Sequence, residues 1–177
     1  MQENKVSEQK TFTPFGVYSH SILTKKIVLY IDELGNNIKS ILEQKLNQTN
    51  EGKCIKEGFI KPSSIKVITY SAGTVYCEKI QFQVVFECML CHPVEGMIIE
   101  NCTVKAITKA GIHAEVITEN NVVPVTVFVA RDHHNLNQYF NEVKEREVIT
   151  IKVIGVRYEI NDIYICVIAE LVTPDDF

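Results

Sequence analysis

The sharpest chemical signal in this sequence is Cys88-Met89-Leu90-Cys91-His92. A C-x-x-C-H run is the attachment pattern of a c-type haem. C-x-x-C alone is half of a tetrahedral zinc site, because two thiolates at that spacing can reach one cation. Haem attachment needs an export route, and the polar stretch Met1–Lys10 is followed by no apolar leader. A zinc site needs further donors. Cys102 and Cys77 are the candidates to join Cys88, Cys91 and His92, and neither belongs to a second C-x-x-C. The plainer expectation is that these thiols serve as small apolar residues at a strand end. His133-His134, after Arg131-Asp132, is a second candidate cluster. Adjacent side chains point in different directions on a strand or a helix, which disfavours a shared metal. No Gly-rich phosphate loop, G-x-S-x-G or H-E-x-x-H occurs. The sequence therefore predicts no catalytic constellation, no resident metal and no cofactor.

Nucleic-acid chemistry makes different demands: aromatic platforms for bases and cations along a groove for phosphates. His113, Phe128 and Tyr158 are candidate platforms, with Lys105, Lys109, Arg131, Lys152 and Arg157 as candidate cations. Phe128, within Val127-Phe128-Val129, reads equally well as an inward core residue. Charge distribution tempers this reading. Residues 1–92 carry eleven Lys/Arg against nine Asp/Glu, a balance of +2, whereas residues 93–177 carry seven against thirteen, a balance of −6. A dedicated nucleic-acid binder shows a basic footprint, because phosphate neutralisation supplies most of its affinity. Contact of the second half with RNA is expected to be weak.

These side chains need a scaffold, and the second half offers one. Val94–Ile107, Gly111–Ile117, Val122–Val129, Val148–Tyr158 and Ile163–Leu171 are rich in Val, Ile and Thr. Lys109-Ala110-Gly111, Glu119-Asn120-Asn121 and Asn161-Asp162 supply turns, and the polar stretch His133–Glu147 has room for a short helix. Five strands with a helix between the third and fourth is the order of an OB-type barrel. Such a barrel usually offers one face to single-stranded nucleic acid or to protein, so a binding module is expected rather than an enzyme.

The first half reads as β-α-β-β-β. Residues 1–16 lack an apolar period and are expected to form a flexible tail, with Pro14 discouraging regular structure. Tyr18–Ile31 is a strand. Leu34, Ile38, Ile41, Leu42 and Leu46 then recur at helical spacing, with Asp32 as the expected N-cap and Asn47-Gln48-Thr49-Asn50 as the expected break. Cys54–Ile60, Ile65–Tyr70 and Ile80–Leu90 are further strands, separated by Pro62-Ser63-Ser64 and Ser71-Ala72-Gly73. The fold class is thus α+β: a small antiparallel sheet with one helix over residues 17–92, then a barrel over 93–177. No Gly/Ser-rich linker separates them, so tight packing of the halves is expected. Of 177 residues 46% are hydrophobic, enough for a core, and no apolar run approaches the ~20 residues of a membrane span. An intracellular protein with six reduced cysteines is expected.

Short pieces of the chain, taken in order, resemble one family. They are Glu51-Gly52-Lys53-Cys54, Gly58-Phe59-Ile60, Gly73 before Phe82-Gln83-Val84-Val85-Phe86, and Pro93-Val94-Glu95-Gly96. Lys109-Ala110-Gly111-Ile112, Val127-Phe128-Val129 with His133 after it, Val153-Ile154-Gly155-Val156-Arg157 and Asn161-Asp162-Ile163-Tyr164 continue the series. Together, from Tyr18 to Val172, they resemble the stalk subunit of multi-subunit DNA-directed RNA polymerases, a family that includes the seventh subunit of eukaryotic RNA polymerase II and its archaeal counterpart. The resemblance implies a tip domain that docks on the polymerase core subunits, and an OB barrel near the path of nascent single-stranded RNA. It also implies a smaller helical stalk partner along the junction. Glu51, Gly52, Lys53, Gly58 and Phe59 match the family's docking loops. Departures from the pattern are the N-terminal extension, the Cys88–His92 join and the acidic barrel. With an Asn-, Ile- and Lys-rich vocabulary they suggest a divergent member, such as one encoded by a large DNA virus. The nucleus, or for a virus the cytoplasm or virion, is the matching location. The alternatives are a free-standing OB-fold RNA-binding protein of RNA metabolism or translation, and a zinc- or redox-responsive protein built on Cys88 and Cys91.

Overall fold

The structure, a computed structural model, describes residues 16–118, 121–134 and 138–173. The expected N-terminal tail through residue 15, Glu119-Asn120 and the Asp175-Asp176 end lie outside these residues. The spine of the first half is an antiparallel pair. Strand β1 (Tyr18–Tyr30) runs against β6 (Lys79–Cys91) from Tyr18↔Cys91 to Tyr30↔Lys79 without a register shift. Strands β3 (Gly58–Ile60), β4 (Lys66–Tyr70) and β5 (Thr74–Tyr76) follow one another along the other edge of β6. Beyond β3 lies β2 (Cys54–Ile55).

Helix α1 (Ile38–Asn50) covers one face of this sheet. It starts later than the sequence suggests. Asn37, not Asp32, is the N-cap: its side-chain oxygen accepts from Ser40 N at 3.2 Å, while Asp32 lies in a separate 3-10 turn, Ile31–Glu33. It also ends later. Thr49 Oγ1 donates to Lys45 O at 2.8 Å and Asn50 Nδ2 to Leu46 O at 2.9 Å, so the polar run completes the last turn instead of breaking it. Leu42 and Leu46 bury against Ile27, Leu29, Phe82, Val84 and Phe86, and Glu43 accepts from Val67 N at 2.9 Å, tying β4 to the helix.

Two further differences concern strands. The expected strand Cys54–Ile60 is the hairpin β2–β3, turning at Lys56-Glu57 with Cys54↔Phe59 and Ile55↔Gly58 opposite. Gly58 makes it feasible: at φ +140 it lies so close to β6 that an added Cβ would stand 2.4 Å from Cys91 O. Strand β5 was not legible in the sequence. It pairs back on β6 through a tight turn in which Cys77 takes φ +53.

The second half is a closed barrel. Strands β7 (Ile98–Ile107), β8 (Gly111–Val116), β9 (Val125–Ala130), β10 (Val148–Arg157) and β11 (Ile165–Leu171) close in the order β10-β11-β9-β8-β7. The pair β9–β11 is parallel and the others are antiparallel. Helix α2 (Gln138–Glu142) falls between β9 and β10. This is the OB-type barrel anticipated from strand order. Its first strand starts at Ile98 rather than Val94, because Gly96 at φ +82 turns the chain there.

The halves share a core. Tyr18, Cys54, Phe59 and Cys91 of the sheet bury in one cluster with Ile99, Val127, Ile149, Ile165 and other barrel residues. The β10–β11 loop is also bound to the β2–β3 hairpin. Cys54 N donates to Asp162 O at 2.7 Å, Asn161 N to Cys54 O at 2.8 Å, and Tyr158 OH to Lys56 O at 3.1 Å. No described helix is long and apolar enough to cross a membrane.

Candidate nucleic-acid interface

An OB barrel binds extended ligands across its second and third strands, between the loop joining strands one and two and the loop joining four and five. Here that surface is the outside of β8 and β9, bounded by Thr108–Ala110 at one end and Tyr158–Tyr164 at the other. Along β9, Val125, Val127 and Val129 are buried, so Thr126, Phe128 and Ala130 face outward. Phe128 therefore does not point into the core, as Val127-Phe128-Val129 allowed. Its ring stands 4.8 Å from that of His113 on the neighbouring strand, tilted by 47°. It also covers Gly111, where an added Cβ would lie 3.1 Å from the ring and 2.2 Å from Val129 O. The ring is thus both a candidate platform and the lid over a close strand approach.

Register extends the platform into a row. His113 is opposite Phe128, Phe128 opposite Ile168, and Ile168 opposite Gly155, where no side chain stands in the way. The next row comprises Glu115, Thr126, Cys166 and Arg157. At its end a shallow depression of about 420 Å³ is lined by Arg157, Glu159, Asp162, Ile163, Tyr164 and Cys166. Ile163, Tyr164 and Ile168, all exposed, were not anticipated as part of this surface. The alternation of β11, with Ile165, Val167 and Ala169 inside, is the signal that could have placed Ile168 outside.

The five expected cations divide unequally. Lys105 Nζ pairs with Glu115 at 3.0 Å. Lys152 stands opposite Glu170 on β11. Arg131 is the most committed: Nε donates to Lys109 O at 3.0 Å, Nη1 to Asn141 Oδ1 at 3.2 Å and Nη2 to Thr108 O at 3.4 Å, and the guanidinium lies 5.0 Å from the centre of the Phe140 ring. It clamps the β7–β8 turn to α2 rather than facing a ligand. Tyr158 is likewise engaged, through its hydroxyl on Lys56 O, and its pKa is raised by burial and by Cys54 and Glu57 nearby. Lys109, Lys152 and Arg157 remain as exposed cations whose side chains have no ion pair or hydrogen bond among the described residues. The adjacent histidines separate as expected. His133 is exposed, while His134 is buried, with Nδ1 2.8 Å from Ala130 O and Nε2 accepting from Leu171 N at 2.9 Å. Leu171 N–H can only donate, so Nδ1 carries the proton and the ring is neutral in this arrangement. Stacked on Phe140 at 5.1 Å, it is structural.

The residues matched to docking loops shape the β2–β3 hairpin. Glu51 Oε1 accepts from Ile65 N at 3.3 Å, Gly52 takes φ +67 and donates to Ile60 O at 3.0 Å, and Lys53 O accepts from Ile60 N at 3.1 Å. Gly58 abuts Cys91, and Phe59 is 1% exposed in the shared core. The Phe59 side chain thus holds the halves together instead of lying on the surface. Beside the hairpin, a groove of about 370 Å³ runs between α1 and the β10–β11 loop, with Leu23, Ile55, Phe86 and Ile160 as its apolar lining.

Cys88 and Cys91 do not share a site. Cys88 buries in the α1-covered core and Cys91 in the core shared with the barrel. Burial pushes the thiols of Cys88 up to about 11 and of Cys91 and Cys102 up to about 12, with Glu57 adding to the first and Cys54 to the second, so all three are protonated at neutral pH. His92 is exposed, and no cluster of three or more metal-ligating side chains occurs among the described residues. Comparison with protein-family models finds no match, and comparison with curated proteins finds none.

Proposed function

We propose that this chain is a non-catalytic stalk subunit of a multi-subunit DNA-directed RNA polymerase. Its helix-backed sheet would dock on the polymerase core subunits, and its barrel would meet nascent RNA or transcription factors. One observation carries the reading: a helix-backed antiparallel sheet is joined through a shared core to an OB-type barrel, in the order the sequence resemblance implies. A subunit that projects from a large assembly needs such stiffness between its anchored and distant parts. The groove lined by Leu23, Ile55, Phe86 and Ile160 is the position at which a helical stalk partner would pack. The free-standing RNA-binding alternative gains less support, because Lys105 and Arg131, two of the five candidate cations, are held by internal partners.

Affinity purification of the tagged full chain from its own cell, followed by mass spectrometry, tests the proposal. Large polymerase subunits recovered at near-equal stoichiometry are the expected result. Recovery with RNA or ribosomal components and without polymerase would overturn it and favour the independent RNA-binding protein.

A further inference from the structure

Strand β1 is the outer edge of the first sheet, with β6 on one side and no described strand on the other. Its ladder fixes which backbone groups are in use. Ile31 N donates to Glu78 O across the pair, so odd-numbered residues of β1 bond to β6 and even-numbered ones turn N–H and C=O away from it. Tyr30 agrees, its N–H pointing outward to Glu33 Oε2 at 2.8 Å. His20, Ile22, Thr24, Lys26 and Val28 therefore present a row of outward donors and acceptors, about 27 Å long at the rise of an extended chain. No group among the described residues bonds to these backbone atoms. The barrel, by contrast, is closed, and the outer edge of β4 is capped where Glu43 Oε2 accepts from Val67 N at 2.9 Å.

Such a row bonds in series only to another extended chain, and the side chains along it select that chain's chemistry. No residue of β1 is acidic, and Lys25 and Lys26 stand at its middle. Lys25 Nζ donates to Asn50 Oδ1, whereas Lys26, opposite Gln83, has no ion pair among the described residues. Strand β6 opposes β1 with one carboxylate, Glu87, which His20 holds at 3.2 Å. Glu57 lines the nearby groove together with both Lys25 and Lys56, so cations outnumber it there. A second copy laid on this edge would add two more lysines to these two, with no carboxylate from either strand. A strand with glutamate or aspartate at its middle gains cross-strand ion pairs instead, and its apolar side chains meet Val28 and the 60%-exposed Ile22.

We infer that β1 takes up an acidic, extended segment of another protein as an added strand, with carboxylates beside Lys25 and Lys26 and apolar side chains beside Ile22 and Val28. The inference goes beyond the proposed polymerase role and does not rest on it, because it is tested on the isolated chain.

Fluorescence anisotropy on the full chain compares three labelled peptides that span the edge. The first carries valine opposite Ile22 and Val28 and glutamate beside Lys25 and Lys26. The second has lysine in place of glutamate, and the third is the acidic peptide N-methylated at the amides that would face β1. Two variants accompany them, Lys26→Glu and Thr24→Pro, with folding checked by circular dichroism. Thr24 N–H faces outward, so proline there takes no bond from β6. The acidic peptide should bind, the lysine peptide at least about tenfold more weakly, and the methylated peptide not at all. Lys26→Glu should reverse the order of the first two. Thr24→Pro should weaken the acidic peptide about tenfold, the equivalent of one hydrogen bond; if that variant does not fold, Lys26→Glu and the methylated peptide carry the test. Four results would each overturn the inference: no binding of the acidic peptide, equal binding of the acidic and lysine peptides, undiminished binding of the methylated one, or a dimer in sedimentation that Thr24→Pro abolishes. Failure of polymerase co-purification would leave these outcomes untouched, so the two readings fail separately.

Discussion

RNA binding by the barrel should depend only shallowly on salt. Each phosphate neutralised on a single strand contributes about −0.7 to the slope of log affinity against log salt. If all five cations of the barrel face contacted phosphate, the slope would approach about −3.5, and raising salt from about 50 to 200 mM would cost about 130-fold in affinity. Lys105 is held by Glu115 at 3.0 Å, and Arg131 donates to two carbonyls and to Asn141. Lys109, Lys152 and Arg157 are left. The slope should therefore be about −2.1 and the loss over the same range about 18-fold. Anisotropy of a labelled uridine oligonucleotide across a salt series measures it. Arg157→Ala should reduce the magnitude of the slope by about 0.7, whereas Lys105→Ala should leave it unchanged, because Lys105 releases no counterion. A wild-type slope near −3.5, or equal effects of the two substitutions, would refute the assignment of these cations to internal partners.

Thiol chemistry offers a second check: in the native protein only Cys77 and Cys166 of the six cysteines should react with an alkylating reagent, the other four being buried, as peptide mapping would read. Those four thiols sit at about 11 to 12 when folded against 9.0 ordinarily, and the Tyr18 hydroxyl at about 12 against 10.0. The folded state therefore keeps protons that the unfolded chain releases, and stability should fall from about pH 9 and be lost progressively toward about pH 12, measured by urea midpoints against pH. His134→Ala strands Leu171 N–H and Ala130 O and removes the stack on Phe140. It should cost about 3 kcal/mol and lower Tm by roughly 10 °C in a thermal melt, with a shift under a few degrees counting against the structural role of the ring. Gly58→Ala forces a Cβ to within 2.4 Å of Cys91 O at φ +140, and its urea midpoint should report a loss of about 3 kcal/mol or more.

How much of this was legible in the sequence follows from the range of the interactions involved. Strands of the barrel were readable because each carries its own turn signals and alternation, as in Ile165–Leu171, where every second side chain is buried. Helix α1 was readable from the spacing of Leu42 and Leu46, but its ends were not. Asn37 outcompeted Asp32 as cap, and Thr49 and Asn50 turned a polar run into a helix end through bonds that no composition rule shows. The β2–β3 hairpin stayed hidden because Gly58 is needed only by the nearness of Cys91, a partner more than thirty residues away. The site was harder still. Lys105 and Arg131 look available until Glu115, Lys109 O and Asn141 arrive beside them, and all three partners are tertiary.

The shared core implies that the halves unfold together. Phe59 and Cys54 come from the sheet yet are almost completely buried among barrel residues, and Cys54 exchanges two backbone hydrogen bonds with Asn161 and Asp162. Separating the halves would expose those side chains and leave the β10–β11 loop without its partners, so neither half gains from opening first. Urea unfolding followed by far-ultraviolet circular dichroism and by tyrosine fluorescence should give one coincident transition. Two resolved transitions would mean that the junction is a weak contact between independent domains. A stalk could not then transmit position from an anchored sheet to a distant barrel, and the physical argument for that role would lose its main support.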